Sequence, residues 1–207
     1  MFTPAVSTAG PAGRAAAFLD RDGVLNEAVP DPASGEPESP LDVEDVRLLP
    51  GVAKALGELA QAGYALVCVS NQPAAAKGKA TLEGLEAVHE RVLELLAREG
   101  VQLELSLLCP HHPEGVLPEL SGPCPCRKPA PGMLSDAAGA LAIDLGASWI
   151  LGDTDSDVRA GQAAGCRSVL IAYAGSAHKR SGAASPDLFA SNLADGGTQL
   201  LLDHGAG

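Results

Sequence analysis

Aromatic side chains are scarce in this chain, with three Phe, two Tyr and one Trp among 207 residues. A core must therefore be built from Leu, Val, Ala and Ile, and a 46% hydrophobic content is enough to build one. Positive charge is equally thin. Fourteen Lys and Arg stand against 26 Asp and Glu, a net charge of −12. No basic cluster of any length occurs, which argues against nucleic acid or an anionic membrane as the main partner. The same imbalance disfavours long-range capture of an anionic ligand, so a phosphate site here must rest on a few local cations, a metal or backbone N–H groups. No segment approaches the roughly 20 consecutive apolar residues of a membrane span. Residues 1–14, small and rich in Pro and Gly, lack a basic stretch followed by an apolar run and read as a disordered leader rather than a signal peptide. Of the five cysteines, three fall within 18 residues and two sit in apolar segments. That distribution suits a reducing cytoplasm and a metal clip better than a disulfide framework.

What the chain does have is alternation. Continuous apolar runs at 15–19, 64–70, 103–108, 148–151 and 167–171 read as buried strands. Between them lie segments of helical period at 51–62, 81–98, 132–144 and 155–164. Thr81 stands where a cap for the second is expected, and a short strand–helix pair over 187–202 closes the chain. This pattern predicts one α/β domain over residues 15–207, a Rossmann-like three-layer sandwich whose parallel sheet is covered on both faces. Two stretches have no periodicity: an acidic, Pro-rich loop from 21 to 50, and a Pro-rich one from 109 to 131. In such sheets ligands bind beyond the carboxyl ends of the strands. Asp20, Ser70 and Asp153 each follow a predicted strand directly, so all three are expected to point into one crevice.

Asp20 and Asp22 place two carboxylates across a turn that Gly23 permits. The first can attack phosphorus; the second can protonate a leaving alcohol and then activate water. Taken alone, Asp-x-Asp after a strand is more often a solvated turn. Ser70 and Asn71 offer a hydroxyl and backbone N–H groups to a phosphate oxygen, or simply end a strand. Lys128, in CRKPAPG, puts an ammonium near a helix start, which suits phosphate, and Arg127 beside it can fork to a second anion. Asp153 and Asp157, in ILGDTDSD, can serve magnesium, which favours a few carboxylates plus water and phosphate, or cap the next helix.

In the order FLDRDGVLN, VCVSNQ, CRKPAPG and ILGDTDSD, these segments resemble the four signature motifs of the haloacid dehalogenase (HAD) superfamily, over about residues 15–171. The resemblance implies a HAD fold without a large separate cap domain, and a magnesium-dependent phosphomonoesterase. Asp20 would be its nucleophile, Asp22 its general acid/base, and Ser70 and Lys128 its phosphate contacts. Magnesium would be held by Asp20, Asp153 and the backbone carbonyl of Asp22, with Asp157 in support. Two carboxylates and a phosphate dianion need such cations, since unit charges 4 Å apart interact by about 4 kcal/mol even at moderate effective dielectric.

Cys109, His111, Cys124 and Cys126 form two close pairs of soft donors separated by a loop, the sequence pattern of tetrahedral structural zinc; a disulfide or free thiols in a mobile loop are the alternative. Zinc would staple residues 109–126 and position Arg127 and Lys128, which follow the last ligand. His112 is read as a solvated neighbour, Cys68 and Cys166 as core residues, and His89, His178 and His204 as surface residues. The string CPHHPEG…CPCRKPAPGM, with SNQPAAAKGK, is similar to one branch of the superfamily, the heptose bisphosphate 7-phosphatases; their relatives, the histidinol-phosphate phosphatases, carry a comparable zinc loop. That branch implies a small phosphorylated sugar as substrate, with Asn71, Lys77 and Arg127 as contacts, and cytoplasmic work; a monomer is the expected state. Two departures bear on the substrate's far end. The 26–50 loop is longer and more acidic than is usual, and Thr154 stands where several members have Lys.

Overall fold

The computed structural model describes residues 13–31 and 34–204. The expected leader lies outside the described residues except for Gly13 and Arg14, the latter bridging Ile143 and ion-pairing with Glu104. The strands are β1 (Ala16–Leu19), β2 (Val29–Pro30), β3 (Pro37–Glu38), β4 (Ala65–Asn71), β5 (Leu105–Cys109), β6 (Trp149–Gly152), β7 (Arg167–Ile171) and β8 (Leu188–Ala190). The helices are α1 (Val52–Gln61), α2 (Leu82–Arg98), α3 (Gly132–Leu141), α4 (Asp155–Ala164) and α5 (Leu193–His204). Six strands form one sheet in the order β5-β4-β1-β6-β7-β8, and every pairing in it is parallel. The chain winds outward from β1 to β5, then returns to the other side of β1 and winds out to β8. The order reverses between β1 and β6, the position at which doubly wound sheets open a crevice.

Alternation along β1 explains the layers. Ala17 and Leu19 face a core made with Leu56 and Leu59 of α1, Val88 and Val92 of α2 and Leu200 of α5. Ala16 and Phe18 face the opposite core, with Met133 and Leu134 of α3 and Ala160 of α4. Both faces of the strand are buried, which is why it reads as an unbroken apolar run. Thr81 caps α2, its side chain accepting from Gly84 N at 3.0 Å.

The stretch from 21 to 50 is not structureless. Its β2 and β3 pair antiparallel, Val29 opposite Glu38, as a small hairpin beside the crevice. His89, expected at the surface, is instead buried under this face, with 6% exposure. It lies one position after Val88 on α2, close enough to the inward stripe to be covered. Among the described residues no helix is long and apolar enough to cross a membrane.

Candidate active site

Asp20 leaves the end of β1, where its N–H still donates to Leu151 O of β6 at 3.0 Å. Its Oδ1 accepts from Arg21 N at 2.7 Å and from Ser70 Oγ at 2.7 Å, and ion-pairs with Lys128 Nζ at 3.1 Å. Lys128 is buried, and its Nζ also donates to Val69 O at 2.7 Å and meets Asp157 Oδ1 at 2.5 Å. Asp157 Oδ2 turns back to accept from Thr154 N at 3.0 Å and Thr154 Oγ1 at 2.6 Å. Capping of α4 and the ion pair to Lys128 therefore fall on the two oxygens of one carboxylate.

Asp153 completes the cluster. Carboxylate oxygens of Asp20, Asp153 and Asp157 all lie within 4.8 Å of one another. Two glycines make the approach possible. A Cβ on Gly23, whose φ is +85°, would stand 2.2 Å from Asp153 Oδ2, and one on Gly152 would stand 2.2 Å from Asp157 Cβ. Burial and the neighbouring carboxylates Asp20 and Asp157 hold the Asp153 carboxyl well above its ordinary pKa. Asp20 is raised as well, by burial first and by Asp157, with Lys128 and the Ser70 hydroxyl opposing. Burial alone would depress Lys128, but Asp157 and Asp20 outweigh it and raise its pKa. Asp153 Oδ1 is buried without a hydrogen-bond partner. Three hard oxygen donors crowded together, one of them unsatisfied, fit a small divalent cation such as Mg²⁺.

Asp22 faces a different set of groups. Its Oδ1 accepts from Asn26 Nδ2 at 2.9 Å, and its Oδ2 from Gln72 Nε2 at 2.6 Å and Ser39 Oγ at 2.8 Å. Arg21, fully buried, holds both oxygens, with Nη2 at 3.2 and 3.1 Å, and donates to Gln72 Oε1 at 2.8 Å. Burial pushes the Asp22 carboxyl up, yet Arg21 and then the Asn26, Gln72 and Ser39 donors overcome it and leave the pKa lowered. Arg21, Gln72 and Ser39 went unnoticed in the sequence. The first two stand inside the motifs FLDRDG and VSNQ, which was the available signal; Ser39, in the aperiodic loop, had none.

A cavity of about 250 Å³ contains Asp20, Asp22, Ser70, Lys128 and Asp153. Asn71, Lys77 and Arg127 also line it. The Asn71 amide is engaged with the main chain of Lys128, donating to its carbonyl at 2.9 Å and accepting from its N–H at 3.0 Å. Arg127 Nη1 donates to His111 O at 3.0 Å, tying it to the cysteine loop. Two further groups missed in the sequence, Glu38 and Lys179, form part of the wall. A second cavity of about 610 Å³ adjoins it, sharing Glu38, Ser39, Pro73 and Lys77.

The donor atoms of Cys109, His111, Cys124 and Cys126 come within 4.8 Å of one another. Cys109 Sγ and Cys126 Sγ are 3.1 Å apart, and His111 Nδ1 lies 3.8 and 3.7 Å from them. Sulfurs at that distance are unbonded, since a disulfide requires about 2.05 Å, and all five cysteines are free. The three-sulfur, one-imidazole set fits tetrahedral zinc. His112 is outside the cluster, its Nδ1 accepting from Glu114 N at 3.1 Å. Cys68 and Cys166 are buried core residues, and burial pushes each thiol up to about 12.

The HAD-hydrolase-like family matches residues 125–196. A D-glycero-beta-D-manno-heptose-1,7-bisphosphate 7-phosphatase of Yersinia pestis is 37% identical over 180 residues, 87% of this chain and 92% of that protein. The protein of the same name from Rhodopseudomonas palustris is 39% identical over 158 residues, covering 76% and 83%. Among solved structures, the D,D-heptose 1,7-bisphosphate phosphatase of B. bronchiseptica, complexed with magnesium and phosphate, superimposes with a TM-score of 0.75. It is 29% identical and covers 91% of this chain and 99% of its own. Fold and relatives together define a phosphatase of the HAD class, a class that uses Mg²⁺. Within that class, the chain belongs to the family of the D-glycero-beta-D-manno-heptose-1,7-bisphosphate 7-phosphatases.

Proposed function

We propose that this enzyme removes the 7-phosphate of D-glycero-β-D-manno-heptose 1,7-bisphosphate, working as a cytoplasmic monomer through a phosphoryl intermediate on Asp20. The observation that carries this reading is the meeting of Asp20, Ser70, Lys128 and Asp153 at strand ends, with Asp22 two residues from the nucleophile. Oδ1 of Asp20 accepts from Arg21 N and Ser70 Oγ and ion-pairs with Lys128 Nζ, which leaves Oδ2 to attack phosphorus. The new P–O bond forms as the bond from phosphorus to the sugar oxygen breaks, and Asp22 delivers a proton to that oxygen. Asp22 then takes a proton from water, which attacks phosphorus and releases Asp20 and inorganic phosphate.

The donors around Asp22 favour its anion, the form the second half needs. A phosphoryl dianion brought beside it raises that pKa and so favours the proton required for the first half. Mg²⁺, held by Asp20, Asp153 and the Asp22 carbonyl with Asp157 in support, would supply charge neutralisation at the phosphoryl oxygens. Ser70 and Lys128 orient those oxygens, while Asn71 fixes the Lys128 backbone. Zn²⁺ on Cys109, His111, Cys124 and Cys126 would hold the loop that carries Arg127 and Lys128. Arg127 and Lys77 contact the rest of the sugar phosphate.

Phosphate release from the heptose bisphosphate, histidinol phosphate and an aryl phosphate, each with Mg²⁺ and with EDTA, tests the reading. Magnesium-dependent turnover with the heptose bisphosphate preferred is expected. A strong preference for histidinol phosphate would sink the substrate assignment, and no turnover of any of the three would sink the mechanism.

A further inference from the structure

The wall of the reaction cavity includes an ion pair between two arms of the chain. Lys179 Nζ lies 2.9 Å from Glu38 Oε2, and both side chains are close to 40% exposed, at 38% and 40%. Each arm is anchored to a different acid of the site. Glu38 is followed by Ser39, whose Oγ donates to Asp22 Oδ2 at 2.8 Å. Lys179 sits between Ser176 and Arg180, which donate to the backbone oxygen of Asp153 at 3.1 and 3.0 Å. The two arms are therefore tied to the acids of the site, while the ion pair itself is partly exposed. Glu38 also lines the larger cavity beside it.

A carboxylate in the wall of a pocket that receives a phosphoryl dianion is unfavourable unless something neutralises it, and Lys179 does so. The same ammonium is available to an arriving anion. A sugar hydroxyl cannot displace a carboxylate from it. A phosphate can, since it carries up to two charges and three acceptor oxygens against the carboxylate's single charge. Exchange of Glu38 for phosphate at Lys179 thus discriminates substrates by the charge of their far end.

We propose that Lys179 is a specificity-determining residue that binds the second phosphate of the substrate, with Glu38 as its counter-ion in the free enzyme. This rests on the reading above that the substrate carries two phosphates. The test is competition against aryl phosphate turnover by heptose 1,7-bisphosphate and by heptose 7-phosphate, in the wild type and in Lys179→Met, Lys179→Arg, Glu38→Gln and the Lys179→Met/Glu38→Gln double variant. Lys179→Met is expected to weaken the bisphosphate about tenfold more than the monophosphate, the scale of one charged hydrogen bond, and Lys179→Arg to retain the preference. Glu38→Gln is expected to tighten the bisphosphate several-fold, an effect that disappears in the double variant. The proposal is overturned if Lys179→Met weakens both competitors alike or neither, or if the gain from Glu38→Gln survives without Lys179. Should the wild type neither hydrolyse nor bind the heptose phosphates, the substrate reading fails on its own, and the same ratio taken with fructose 1,6-bisphosphate and fructose 6-phosphate still decides the role of Lys179.

Discussion

Replacing Asp20 with Asn is expected to make the protein more stable and inactive at once. The three contacts to Asp20 all fall on Oδ1, so an amide oxygen can keep them while the negative charge is lost. That charge sits within 4.8 Å of Asp153 and Asp157. At an effective dielectric of about 20, each full carboxylate neighbour at this distance repels it by about 3.5 kcal/mol. Lys128 at 3.1 Å attracts it by about 5 kcal/mol on the same scale. The difference, trimmed because burial and its carboxylate neighbours disfavour the Asp153 anion, leaves a net strain of about 1–2 kcal/mol. Asp20→Asn in EDTA should then melt higher by about 4 °C for a chain of this size. The sign follows from the raised pKa of Asp20. The folded state prefers its protonated form, so the wild type loses stability as pH rises from the unfolded value near 3.8 through the raised folded one. The advantage of the variant should accordingly be fullest at neutral pH and shrink toward pH 4. Differential scanning calorimetry with EDTA and with Mg²⁺ reads this, and the rise in melting temperature on adding Mg²⁺ should be smaller in the variant. Turnover should fall by on the order of 10⁴ or more, as for the loss of other nucleophiles. A variant less stable than wild type in EDTA, or one that keeps normal activity, would refute the reasoning.

Cys126→Ser should lower bound zinc, measured by elemental analysis, from one atom per chain to well below it, with a stability loss of about 4 kcal/mol or more. It should also depress turnover, because Arg127 and Lys128 follow the ligand directly; unchanged zinc content would show that the clip does not use this cysteine. For His89, burial holds the pKa at about 3, so the folded state stays neutral while an unfolded imidazole protonates below about 6.5. This one group should remove about 1.4 kcal/mol of stability between pH 7.5 and 5.5. Urea titrations should show that increment missing from His89→Leu, and an identical pH slope in the two proteins would rule the assignment out.

The sequence revealed most where a residue follows a strand. Asp20, Ser70 and Asp153 each end an apolar run, and a parallel sheet delivers such residues to one edge whatever the side-chain details. The two Cys/His pairs that the fold brings together were legible from donor type and spacing. Arg21 was not, because a charged residue between two aspartates gives no sign that it will be completely buried; only the tertiary placement of Gln72 and Asp22 provides its partners. His89 was misplaced because one step around a helix separates solvent from core. The hairpin in the acidic loop, with Glu38 and Ser39 at the pocket wall, was hidden for another reason. Its two-residue strands are too short to show a period, and tertiary contacts hold them, among them Lys79 to Asp31 at 2.6 Å and Lys179 to Glu38 at 2.9 Å.

Lys128 has a consequence for how this pocket is born. Its ammonium donates to Val69 O and ion-pairs with both Asp20 and Asp157. This internal cation lets mutually repelling acids fold beside one another, and it is moored to the sheet itself through a β4 carbonyl. The pocket thus carries part of its charge balance within its own side chains.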